Sequence, residues 1–343
     1  VEPRKEGTGT VVAGIEMAED GRATFVAVKE HGWHQKGELV QHDISVQEGM
    51  ELAHLAGLEY QLQPVYVRSP EGTALPTKRF GIVRKNPFDR TKWESLGVGF
   101  SERYTLHAPE PVFAFGEQVI DMGHPLAALG SINGGLEAFA AFRLDDVTIG
   151  GVDQVKMFLN IMTSFNGSMA TTARVSGIRV VCWNTFQGVM SQTSMPTYKV
   201  RHTGMNLEHM VDDARNSLQV GWKGMEAFQK EAELLIARAV TPRETDNLIT
   251  VLIPEPKEAT DRQKENIKQA RAWVHYIHES KTVENIKGTA WGVLNAFTEY
   301  VDHRSGNFRS EEARLVANIT PGSVLDKRRM NGGMTIAKAL ELV

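Results

Sequence analysis

Few side chains in this sequence are able to do covalent or metal chemistry, and their spacing narrows what they could do. Cys182, in "IRVVCWNTF", is the only cysteine in 343 residues. A nucleophilic thiol needs thiolate character and access, usually beside a histidine or at a helix N-terminus. Cys182 precedes an expected helix start, but its neighbours are apolar, and a free cysteine in such a run is ordinarily packing. One cysteine excludes an internal disulfide framework and a multi-cysteine metal site, and fits a reducing cytoplasm. Two histidine pairs stand at i,i+3, His31/His34 and His275/His278. The second pair would share a helix face, and Glu299, Asp302 and His303 on the next helix could add ligands for a metal-dependent enzyme. No HExxH or comparable spacing is present, so the plainer reading is polar contact between helices. Asp145-Asp146 and Asp212-Asp213 read as a turn and a solvated helix face rather than as a hydrolytic carboxylate pair. "SINGG" (131–135) lacks the lysine and helix of a phosphate-binding loop. These residues lead us to expect no catalytic group, no metal and no cofactor.

A different chemistry is suggested by "KRFGIVRKNPFDRTKW", residues 78–93. Lys78, Arg79, Arg84, Lys85, Arg90 and Lys92 stand there against one acid, Asp89, with Phe80, Phe88 and Trp93 between them. The chain's formal net charge is −4, so it has no basic field as a whole, and a polyanion would need a local stripe of this kind. Cations neutralise phosphates, and aromatic faces accept unpaired bases. Single-stranded DNA is therefore the expected partner, with Arg174, Arg179 and Arg201 as further phosphate contacts. The alternative is a solvated hairpin whose aromatics enter the core. Lys199, Arg201 and His202 form a second basic group, and Lys327, Arg328 and Arg329 a third.

The elements that must position these residues divide the chain. No run approaches the ~20 apolar residues needed to span a bilayer, and "VEPRKEGTGTVV" has no apolar core of a signal peptide. We therefore expect no membrane and a soluble, cytoplasmic protein. Ser45 and Glu48 mark a helix start before "VQEGMELAHLAG". "YQLQPVYVR" reads as a strand broken near Pro64, and "KRFGIVRK" as its hairpin partner. Strands are expected over 136–144, 154–165 and 169–183, with a turn at Asn166-Gly167 and a break at Gly177. "NTFQGVM" then reads as a helix start capped by Asn184. From Asn206 onward the apolar spacing is helical, with "TPRETDNLITVLIPEP" as a connector and Thr289 capping "AWGVLNAFTEYVDHR". The expected fold is α+β, an antiparallel β-meander packed with helices and followed by a helical C-terminal region. The expected division is 1–205 and 206–343.

"GGLEAFAAFRL", "TSFNGSMA", "IRVVCWNTF", "YKVRHTGMNLEHMVDDAR" and "GTAWGVLNAFTEYVDH" occur in that order and together resemble domain of unknown function 932. The resemblance runs from about residue 30 to 304 and implies a phage- or plasmid-like protein of a mobile element. It carries over no catalytic residues. Phe165-Asn166-Gly167 stands where many relatives have His-Asp-Gly, which fits a turn rather than an essential acid. The order β-β-β-α before a long helix is also similar to the core of single-strand annealing proteins. That likeness implies an oligomer lining a basic groove, and without it the same helical surface reads as an assembly protein's contact with phage or host proteins.

Overall fold

The computed structural model describes residues 9–12, 14–30, 36–179, 185–186, 197–202, 208–309, 313–314, 317–318 and 323–341. Chain order begins β1 (Gly9–Val12), β2 (Ile15–Ala18), β3 (Phe25–Val28), β4 (Glu38–Val40), α1 (Val46–Leu52), β5 (Tyr60–Arg68), β6 (Ala74–Lys85) and β7 (Trp93–Phe100). It continues with α2 (Pro109–Phe113), α3 (Gly116–Asp121), β8 (Leu126–Ile132), β9 (Glu137–Arg143), β10 (Val147–Ile149), β11 (Asp153–Ser164) and β12 (Thr171–Arg179). Then come β13 (Thr185–Phe186), β14 (Thr197–Val200), α4 (Glu208–Ala237), α5 (Pro242–Leu252), α6 (Asp261–His278), α7 (Ala290–His303) and α8 (Val324–Ala339). The chain is mixed α+β with antiparallel sheets and a helical C-terminal region, as the sequence predicts. Among the described residues no helix is long and apolar enough to cross a membrane.

Two compact units emerge. The first comprises Val1–Arg143, Leu159–Arg174 and Thr197–Leu218. Its main sheet runs β4-β3-β8-β9-β11-β12, with β14 paired to β12. β3 and β4 are parallel, whereas β8 is antiparallel to both β3 and β9. "FVAV" of β3 is buried at every position, and so is nearly all of "EAFAAFR" in β9. Such runs read as apolar without alternation because little of either strand meets water. α1, α2 and α3 pack on this sheet, and the Ser45 side chain accepts a hydrogen bond from the Glu48 N–H, closing one half of the expected cap. A second, three-stranded antiparallel sheet, β5-β6-β7, belongs to the same unit. β5 is continuous through Pro64; the irregularity falls one residue later, between Val65 and Tyr66. Pro64 is tolerated because β5 is an edge strand, where a missing N–H costs no ladder bond.

The second unit comprises Leu144–Phe158, Val175–Pro196 and Gln219–Val343. β10 pairs with the start of β11, and the end of β12 pairs with β13. Gly177 stays in register with Phe186 rather than breaking the strand. Its reason is space, since a Cβ there would meet Val155 Cγ1 at 2.8 Å and Met157 Sδ at 3.0 Å. Thr185 and Phe186 are strand, which corrects the expected helix start; Cys182 and Asn184 lie outside the described residues. The expected connector at 242–252 is helix α5. Thr241 and Glu244 close a reciprocal capping box at its N-terminus, and Pro242 sits at N1 where its missing N–H is harmless. α7 is buried along most of its length between α6 and α8, as its apolar spacing predicts. Its Trp291 is fully buried and donates its indole N–H to Asp153 Oδ2 at 2.7 Å.

Candidate nucleic-acid surface

The basic stripe falls on β6, the following loop and the first residue of β7, and pleating divides it between two faces. Residues opposite one another in a sheet point to the same side, with a period of two along each strand. The pairings Tyr60↔Arg84, Arg84↔Glu94, Leu62↔Ile82 and Phe80↔Phe100 define the inner face. The pairings Gln61↔Val83, Val83↔Ser95, Val65↔Arg79 and Lys85↔Trp93 define the outer one.

On the inner face Arg84 is 0% exposed. Its Nη2 donates to Glu16 and to Glu94 Oε2, the latter at 3.3 Å. Asn86 Nδ2 donates to Glu94 Oε1 at 2.6 Å, and Ser131 Oγ donates to Glu16 Oε2 at 3.1 Å. Burial opposes the charge on Arg84, but Glu16, Tyr60 and Glu94 beside it hold its pKa above the ordinary value. Burial also pushes the Tyr60 hydroxyl up to about 12. Gly135, at φ +78, completes the enclosure: a Cβ there would meet the Arg84 guanidinium at 2.4 Å. Arg84 is thus a structural ion pair and cannot reach a phosphate, which corrects its expected role. The two carboxylates offset much of the desolvation cost that burial of the guanidinium carries, a cost of several kcal/mol for an unpaired ion.

Other members of the stripe are also engaged. Arg90 donates from Nη2 to the carbonyls of His54 and Ala56, at 3.0 and 3.2 Å. Phe88 meets the His54 ring edge-on and has the Arg22 guanidinium 5.5 Å from its centroid. Phe80 lies on the inner face opposite Phe100. Lys92 is exposed and bridges to Asp89 at 3.0 Å. Arg174 is buried on β12, so it too is withdrawn from the set of surface contacts. The Arg179 side chain lies outside the described residues, whereas Arg201 and Lys199 are exposed.

What remains on the outer face is a row along the strands. Trp93 is 43% exposed, and the Lys85 ammonium sits over its ring, 4.5 Å from the centroid. Arg79 is exposed on the same face. Gln61 and Gln63 lie along β5 there, joined by a hydrogen bond of 2.8 Å, and Val98 is 70% exposed. Beside Arg79 the ladder skips from Arg79 to Pro76. Lys78 falls in this irregularity at φ +56 and is exposed. A lysine in the left-handed region is strained, and strain of this kind recurs where a side chain is aimed at a ligand. Gln61 and Gln63 were missed in the sequence, although the alternation of "YQLQPVYVR" opposite "RFGIVRK" places them on the side of Arg79 and Lys85.

Two histidines meet in the first unit; one of them, His202, was expected in a basic group with Lys199 and Arg201 but is buried, and burial disfavours its charge. His107 and His202 stack with ring centroids 4.1 Å apart, and Tyr104 stacks on His202 at 5.0 Å. His107 Nδ1 shares a 2.7 Å hydrogen bond with Thr171 Oγ1. Burial, and then the neighbouring His202, push His107 down to about 4; burial lowers His202 as well. The residues weighed as alternative metal ligands are engaged elsewhere. Asp302 pairs with buried Arg329, Glu299 accepts from Thr282 Oγ1 at 2.8 Å, and His278 Nδ1 lies 3.4 Å from Glu279. Among the described residues no group of three or more His, Cys, Asp or Glu could hold a metal ion. His31 and His34 lie outside the described residues.

Fold and surface together define a mixed α+β protein with an open antiparallel sheet bearing cations and an exposed tryptophan. The chain belongs to the family described as Domain of unknown function (DUF932), which matches residues 96–320. β5, β6 and Trp93 precede that segment, and β7 straddles its start. No curated protein and no solved structure matches the chain.

Proposed function

We propose that this chain binds single-stranded DNA on the outer face of the β5-β6-β7 sheet, without a cofactor. The observation that carries this reading is Trp93, exposed under the Lys85 ammonium on a face shared with Arg79, Gln61 and Gln63. An open sheet with an aromatic ring, flanking cations and side-chain amides suits unpaired bases, which stack, hydrogen-bond at their edges and bring phosphates alongside. Fluorescence anisotropy of a labelled oligothymidylate across a salt series tests it. Trp93→Ala is expected to weaken binding roughly 5- to 150-fold, the equivalent of about 1–3 kcal/mol for one stacked base. Lys85→Ala and Arg79→Ala are each expected to lower the salt slope by about 0.7. Affinity and slope unchanged in all three variants would refute the site.

In its fuller form the proposal is strand annealing during recombination of a phage or plasmid, carried out by a homo-oligomer in the cytoplasm of a bacterial host. The motif resemblance and the strand-then-helix order support it. A second reading, a non-catalytic assembly protein, is favoured by Val67 and Leu75, which pair across the β5–β6 ribbon and are both exposed. Light scattering with and without DNA separates the two, since assembly indifferent to DNA favours the second.

A further inference from the structure

The second unit carries an exposed aromatic pair that the sheet surface does not use. Trp273 and Tyr276 lie on the outer side of α6, 38% and 68% exposed, with ring planes at 90° and centroids 5.6 Å apart. Residues three and four apart share a helix face, so Lys268, Ala272, Tyr276 and Glu279 form one stripe with Trp273 beside it. The stripe turns away from the core, because Val274, Ile277 and His278 are the buried positions of this helix. Lys268, Ala272 and Glu279 are exposed together with the two rings. From α7, Arg304 lays its guanidinium over the Trp273 ring, 4.5 Å from the centroid. From α5, Asp246 lies 3.5 Å from His275.

Charge around the rings is mixed. Lys268 and Arg304 supply cations, Glu279 and Asp246 acids, so the patch selects neither a polyanion nor a polycation. Tryptophan, tyrosine and arginine are the residues that dominate contacts between proteins. The order of the charges selects which protein. Lys268 and Glu279 stand about three helical turns apart, hence on the same flank of the stripe, at equal distances either side of the Trp273–Val274 bond. A two-fold axis at that point sets two α6 helices antiparallel and keeps flank against flank. Lys268 of each copy then comes level with Glu279 of the other, and Tyr276 of each lies beside Ala272 of the other. The short Ala272 side chain leaves a hole for that ring, as in knobs-into-holes packing. Contact across a two-fold uses one patch twice and so demands this self-complementarity. Glu279 is 61% exposed beside Lys287, and a carboxylate has room for a second cation.

We propose that the outer side of α6 is a self-association face, on which a second copy of this chain docks antiparallel through Tyr276, Ala272 and reciprocal Lys268–Glu279 pairs. It gives the homo-oligomer of the fuller reading a defined contact, yet it uses no residue of the β5-β6-β7 sheet and needs no DNA. One pair of helices is a small interface, so the dimer is expected to be weak, with a dissociation constant on the order of micromolar. The test is sedimentation velocity of the full-length chain without DNA at low salt, over about 1 to 100 μM, a range that brackets such an affinity. Wild type is expected to pass from monomer to dimer. Tyr276→Ala is expected to weaken association at least about tenfold. Lys268→Glu and Glu279→Lys, each tested alone, are expected to weaken it about fivefold or more, because both pairs become repulsive. An equimolar mixture of these two variants restores association, as does the double variant Lys268→Glu/Glu279→Lys. Circular dichroism checks folding, and Tyr276→Ala with Lys268→Glu decides if Glu279→Lys is unfolded. Association indifferent to Tyr276→Ala, or charge variants that fold but fail to rescue one another, overturns this face and leaves the DNA reading intact. A wild type that stays monomeric throughout overturns the face and the homo-oligomer together, while oligothymidylate binding by Trp93 remains a separate question.

Discussion

Arg84 and Lys85 are neighbours in sequence and opposites in role. Arg84 faces inward, where it is enclosed by Glu16, Glu94, Tyr60 and Gly135, while Lys85 faces outward over Trp93. Removing one partner of a buried ion pair leaves the others uncompensated, at a cost of about 3–5 kcal/mol when all are buried. Glu16 and Glu94 keep some exposure, so Arg84→Met is expected to destabilise by about 3 kcal/mol, at the low end of that range, as read by urea unfolding. Lys85→Ala is expected to leave stability within ~0.5 kcal/mol of wild type, as for an ordinary surface substitution. The His107–His202 stack gives a pH dependence. In the folded chain His107 is held at about 4 and His202 is also lowered, against 6.5 for the free group. Among the described residues neither Nε2 has a hydrogen-bond partner that would favour a charge. Below pH 6.5 the unfolded chain takes up protons that the folded chain refuses, so stability is present above 6.5 and is lost as pH falls toward about 4. Urea midpoints across that window check this. Replacing both histidines with phenylalanine is expected to flatten the profile, and an unchanged slope would refute the assignment.

At the scale of elements, capping chemistry explains what periodicity did not. α5 has Pro242 at its start and Pro254 and Pro256 beyond its end, and the prolines made the segment resemble a connector. The Thr241–Glu244 box was present in the sequence and is the stronger signal. Thr241→Ala is expected to cost about 1 kcal/mol, measured as a shift in the urea midpoint at constant slope. The long strands and α7 were legible: β9, β11, β12 and α7 lie within a few residues of their expected spans. Short elements such as β4, β8, α2 and α3 were not, because "LAALGSI" and "PEPVF" offer too few residues for a period to register. The stripe at 78–93 was legible as composition but not as surface. Alternation alone puts Arg79, Lys85 and Trp93 on one face, yet which face is buried depends on Glu16 and Glu94, and Glu16 stands 68 residues from Arg84 in sequence.

At the scale of the whole molecule, an acidic chain would bind a polyanion through a patch created by sorting its charges. Carboxylates draw Arg84 and Arg329 inward and leave Lys78 and Arg79 at the surface. Net charge therefore says little about the ligand, whereas the salt dependence of binding reports the local contacts. The same sorting implies that charge-neutralising substitutions at the surface weaken binding without loss of stability, while those at Arg84 or Arg329 act through folding. The most direct measurement is anisotropy of labelled oligothymidylate with the full-length chain, in wild type and Trp93→Ala, from low to physiological salt. Saturable binding is expected, with the logarithm of its association constant falling linearly with the logarithm of salt and its affinity weakened roughly 5- to 150-fold by the substitution at every salt concentration. Absence of binding at low salt, or equal affinity in the two proteins, would contradict it.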